Sequence, residues 1–80
     1  VELISKQLKA GRAKSGYSQR DISNIFGYTT PQFVSNWERG LIVPSMLTLI
    51  MLGDIYKINT KRMYMAYRMR KIKKAWDVTL

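Results

Sequence analysis

Ser18-Gln19-Arg20-Asp21-Ile22-Ser23-Asn24-Ile25-Phe26-Gly27-Tyr28-Thr29-Thr30-Pro31-Gln32-Phe33-Val34-Ser35-Asn36-Trp37-Glu38-Arg39-Gly40 divides into two short helices joined by a turn. Ser18 followed three residues later by Asp21 is a shortened capping box, in which a hydroxyl and a carboxylate satisfy each other's free N–H groups at a helix start. Ile22, Ile25 and Phe26 are expected to form the buried side of that helix, and Gly27, free to take a left-handed conformation, to end it. Thr30-Pro31 is the next start signal: Thr can cap free N–H groups, and Pro at the first helical position gives up no hydrogen bond. The helix so begun is expected to run from Pro31 to Arg39 and to close at Gly40.

Helical signals continue on both sides. Upstream, Ile4 and Leu8 lie one turn apart with Lys6, Lys9 and Lys14 around them, which predicts an amphipathic helix over 2–15 ended by Gly16. Downstream, Pro44-Ser45 repeats the start signal, and the run from Met46 to Tyr56 is apolar enough for a buried fourth helix. Asn59 or Thr60 can cap a fifth, leading toward Trp76. There Met65, Met69, Ile72 and Trp76 form one apolar stripe, with Tyr67, Arg70, Lys71 and Lys74 on the other side. That stripe packs on the fourth helix or pairs two copies of the chain, the first being the expectation. No strand, linker or repeat is legible, so the reading is an all-α single domain over 1–80, with a core at 5–58 and a basic amphipathic helix at 59–76.

Composition narrows the chemistry. Eighty residues support one small core. Without Cys there is no disulfide framework, and without His the commonest general base and zinc ligand are gone. The carboxylates are Glu2, Asp21, Glu38, Asp54 and Asp77, too few and too scattered to suggest an enzyme. No catalytic site, metal or cofactor is expected. No signal-peptide pattern opens the chain, and no apolar run nears the roughly 18 residues of a membrane span, so a soluble cytoplasmic protein with no membrane partner is expected. The net charge of +9 points to a polyanion, but residues 57–80 hold eight Lys or Arg against one carboxylate, and residues 1–56 only six against four. Charge alone therefore says little about the first two-thirds.

A more specific pattern is Leu8 and Arg12, Ser18-Gln19, Ile22-Ser23, Gly27, Trp37-Glu38-Arg39-Gly40, Pro44-Ser45, then Leu49, Leu52, Gly53 and Tyr56. Over about two-thirds of the chain this resembles the lambda-repressor-like, Cro-type (XRE-like) helix-turn-helix family. The resemblance implies a compact five-helix DNA-binding domain whose second and third helices form the helix-turn-helix, with the third in the major groove of double-stranded DNA. It implies that Val34 and Trp37 face the core and that Gln19 anchors a phosphate. Arg12 and Glu38 would form an ion pair tying the first helix to the end of the third. Gln32 and Asn36, four apart on the outward face, carry amides able to bond adenine bidentately, with Ser35 and Phe33 beside them as further base contacts. Ordinary surface amides are the alternative, and Phe33 either meets a thymine methyl or covers the turn. Thr29, Thr30 and Arg20 complete the expected phosphate contacts, though capping alone accounts for Thr30.

The chain also departs from that pattern. One residue more than usual separates Gly27 from Gly40, which places the extra residue at Tyr28-Thr29-Thr30. Gly11 stands where a larger apolar residue is common. Leu41-Ile42-Val43 replaces a loop that is often basic or polar, and Leu47 and Met51 occupy positions that are often polar. Tyr67, Arg70, Lys71 and Lys74 are candidates either for the missing phosphate contacts or for a protein partner. The expectation is a sequence-specific transcriptional repressor on a palindromic operator, acting as a homodimer. The alternatives are an antitoxin-type module whose main surface is the last helix, and an RNA or anionic-membrane binder resting on the basic tail.

Overall fold

A computed structural model describes the backbone of residues 2–79 and the side chains of residues 4–71. Five helices follow one another: α1 (Glu2–Ser15), α2 (Gln19–Ile25), α3 (Gln32–Glu38), α4 (Met46–Tyr56) and α5 (Thr60–Thr79). Ile4, Leu8, Ile22, Val34, Trp37, Leu49, Leu52, Tyr56 and Met63 form one core, to which every helix contributes. Helix α1 lies across α3, α4 and α5, and α2 packs on α3.

Local chemistry sets the ends. Ser18 Oγ accepts from Asp21 N–H at 3.0 Å, and Asp21 Oδ2 accepts from Ser18 N–H at 2.9 Å, so the shortened capping box closes fully. Helix α3 begins at Gln32, one residue later than expected, with Pro31 as its cap residue. Thr30, one residue before that cap, takes up the first free N–H, its Oγ1 accepting from Gln32 N–H at 3.2 Å. Ser45 Oγ accepts from Thr48 N–H at the head of α4, and Asn59 rather than Thr60 caps α5, accepting from Arg62 N–H at 3.0 Å.

Two expectations about burial change. In α2, Ile25 is exposed and Ser23 is buried in its place, with Phe26 partly buried. The side of α2 that meets its neighbours runs through Ile22 and Ser23. In α5, Met65 and Met69 are 58% and 61% exposed, lining an open surface pocket with Met46 of α4, whereas Met63 is buried in the core and Tyr64 and Tyr67 pack against it. The cause lies at the junction of α4 and α5. Thr60 is buried beneath Gly53, so close that a Cβ on Gly53 would stand 2.5 Å from Thr60 Oγ1. With Thr60 turned inward, residues three, four and seven further on share its side of a 3.6-residue helix. Residues 65 and 69 are carried to the opposite side. Ile72, Lys74 and Trp76 lie outside the described side chains.

Gly11 gives the inverse case. A Cβ there would meet Tyr56 Cδ2 at 3.2 Å and Ile58 Cδ1 at 3.3 Å. The missing side chain in α1 is filled by Tyr56 and Ile58 reaching across.

Candidate nucleic-acid interface

Helix α3 is short, and its orientation comes from three attachments. Its inner side chains, Val34 and Trp37, are buried as expected. The turn before it is closed by aromatic rings. Tyr28 stacks on Phe26 with centroids 5.7 Å apart and tilts onto Phe33 at 4.7 Å, and both Phe26 and Tyr28 meet Trp37 edge-on. Tyr28 thus folds inward, and Phe33 covers the turn while remaining half exposed. Gly27, at φ 76°, makes the left-handed step that starts it.

The third attachment is at the far end. Arg12 Nε and Nη2 donate to Glu38 Oε2 at 2.6 Å and Oε1 at 3.0 Å, a two-pronged pair with 15% of the arginine and 3% of the glutamate side chain exposed. Arg12 Nη1 also donates to the Tyr17 carbonyl at 2.9 Å. Gln19 Nε2 donates to Glu38 Oε1 at 3.1 Å. One carboxylate thus joins α1, the loop after it, α2 and α3. The hydrogen bond from Glu38 holds the Arg12 guanidinium above its ordinary range against the opposing effect of burial. Burial, reinforced by the Glu38 charge, pushes the Tyr56 phenol well up.

Held in this way, α3 turns Gln32 and Phe33 to solvent, with Ser35 and Asn36 partly exposed beside them. Gln32 Nε2 donates to Asn36 Oδ1 at 2.9 Å, so the two amides touch. Thr29 and Thr30 are exposed in the turn before α3, and Arg20 is exposed at the start of α2. The bond from Gln19 to Glu38 went unforeseen because the two residues are 19 positions apart, beyond the reach of any helical period.

Tyr67, Arg70 and Lys71 lie elsewhere. Helix α5 packs on α4 and α1, whereas the outward amides belong to α3. Tyr67 is partly buried against the core rather than on an open basic face, with Lys71 Nζ 5.2 Å from its ring centre. Lys74 lies outside the described side chains. Among the described residues, no helix is long and apolar enough to cross a membrane, and no three His, Cys, Asp or Glu are grouped to hold a metal ion.

A family model described as "Helix-turn-helix" matches residues 8–61, more than half of the chain. No curated protein matches it.

Proposed function

The chain belongs to the helix-turn-helix family, a DNA-binding and non-catalytic family, and from that premise we propose that it is a sequence-specific transcriptional repressor that reads the major groove with α3. The observation that carries this reading is the Glu38 attachment, which fixes α3 with Gln32, Ser35 and Asn36 outward. Amides on such a face suit adenine N6 and N7, and Phe33, half exposed, is placed for a thymine methyl. Arg20, Thr29 and Thr30 flank the face as phosphate contacts. Gln19 joins them through its second amide N–H, the first being engaged by Glu38. In this reading residues 5–58 are the binding core, residues 59–76 an appended basic helix, and the whole chain one unit working in the cytoplasm on its DNA.

Two copies then bind a palindromic operator, meeting across the outer side of α4. Leu47 and Met51 are exposed there, and Asp54 is the only charged residue of that helix. Helix α5 is less suited to pair with itself, because Lys61, Arg62 and Arg68 flank its exposed Met65 and Met69 and would meet like charges on a second copy. No observation favours an antitoxin-type role with α5 as the principal surface.

Selection of duplex DNA from a random pool by the full chain tests the reading. The expected result is a two-fold symmetric site with half-sites about one helical turn, ~34 Å, apart. Placed over a promoter, that site should lower transcription when the protein is present. Recovery of no preferred sequence would refute base recognition, and increased transcription would refute repression.

A further inference from the structure

Gln32 is restrained at both ends. Its backbone N–H donates to Thr30 Oγ1 at 3.2 Å and its side-chain Nε2 to Asn36 Oδ1 at 2.9 Å. The second bond changes how the outward face works. A free glutamine side chain samples many rotamers in water, and ordering it on a base costs affinity. Here Asn36 orders it beforehand. The asymmetry between the two runs one way: Gln32 is exposed and has one more torsion to fix, whereas Asn36 is shorter and partly buried. Asn36 is the support and Gln32 the supported group.

The bond leaves both amides able to read. An amide carries two N–H donors and a carbonyl with two lone pairs. Gln32 keeps its Oε1 and one N–H, and Asn36 keeps both N–H groups and one lone pair on Oδ1. Each retains an acceptor and a donor, the combination that adenine N7 and N6 demand in the major groove. We propose that Gln32 and Asn36 form one pre-oriented reading unit for two neighbouring A·T pairs, in which Asn36 reads its own base and also positions Gln32 for the other. This rests on the reading of α3 as the base-contacting helix.

The experiment is site selection and relative affinity measurement with the full chain and three variants, Gln32→Ala, Asn36→Ala and Asn36→Asp. Thermal unfolding confirms that each variant is folded. Comparing sequences within each variant cancels any general loss of affinity, including that from the added charge in Asn36→Asp. A good bidentate contact gives roughly 5- to 150-fold discrimination between bases. Gln32→Ala is expected to lose that discrimination at one position. Asn36→Ala should lose it at this position and at a second. Asn36→Asp keeps an oxygen for Gln32 Nε2 but loses its own donor, so the first position should recover and the second should not. Three folded variants with these patterns establish the coupling. If Asn36→Ala leaves the Gln32 position at wild-type discrimination, or Asn36→Asp fails to restore it, the unit is overturned while base reading by α3 stands. A wild-type chain with no preferred sequence overturns the parent reading instead.

Discussion

Ser23 is 1% exposed, and its Oγ is a buried side-chain oxygen without a hydrogen-bond partner among the described residues. A hydroxyl removed from water in this way loses hydration and recovers nothing. Ser23→Ala keeps the small volume of this buried position and favours helix, so it should raise stability by about 1 kcal/mol in urea unfolding. A fall in stability instead would mean that the hydroxyl bonds a carbonyl of its own helix. Glu38 is the opposite kind of residue, a buried carboxylate fully used by Arg12 and Gln19. Glu38→Ala strands the Arg12 guanidinium and should cost about 3–5 kcal/mol, the lower figure applying because Arg12 keeps some contact with water. The measurement that separates support from contact is base preference below the variant's melting temperature: DNA binding should weaken with stability, while the preferred sequence stays the same. The partnership of Arg12 with Glu38 was legible through the family pattern, because both residues stand in it. The share taken by Gln19 was not, since it depends on how closely the start of α2 approaches the end of α3.

At the level of helices, the starts were the most legible features, because caps depend on residues only two or three apart. Ser18 with Asp21 shows this, and it adds a pH dependence. The Ser18 N–H, then the Ser18 side chain, hold the Asp21 carboxyl below its ordinary value of 3.8. A carboxyl bound more weakly by protons in the folded than in the unfolded chain stabilises the fold above the unfolded value, and that contribution is lost as pH falls through the folded one. Thermal stability should therefore drop below about pH 4, and Asp21→Asn should flatten that part of the profile. The phase of α5 was not legible. Its sequence offers one apolar stripe through Met65 and Met69 and another through Met63, Tyr64 and Tyr67, and helical spacing alone cannot choose between them. The contact of Gly53 with Thr60 makes the choice. Gly53→Ala tests it, because the new Cβ would stand 2.5 Å from Thr60 Oγ1 and 2.9 Å from the Ile58 carbonyl, which the backbone cannot withdraw. Despite the gain of up to about 1 kcal/mol in helix propensity, a net loss of about 1–3 kcal/mol is expected from overpacking. An unchanged or higher melting temperature would show that the junction yields and does not set the phase.

The whole molecule is longer than a rounded domain of its size. Its extents are 46 × 22 × 19 Å and its radius of gyration is 13.5 Å, against about 12 Å expected for 80 residues in a compact domain. A 20-residue helix such as α5 spans about 30 Å, more than the core can cover. Among the exposed apolar side chains, Leu47 and Met51 share the side of α4 opposite Leu49, Leu52 and Tyr56. Contiguous apolar surface of this kind marks an interaction site. Leu47 is 69% exposed, so replacing it contributes little to the fold. The double substitution Leu47→Ser with Met51→Ser should shift stability by no more than about 0.5 kcal/mol per site. Sedimentation equilibrium should nevertheless find the variant monomeric where the parent chain is dimeric. Binding to a two-half-site duplex should weaken on the order of 100-fold, because the second half-site is no longer filled at high effective concentration. Preference within each half-site should not change, since α3 is untouched. Raising the salt concentration distinguishes the two contributions further, weakening phosphate contacts while screening repulsion between the two copies of α5. A variant that still dimerises like the parent would move the interface away from α4, and loss of half-site preference would mean that the outer side of α4 supports the reading helix instead of a second copy.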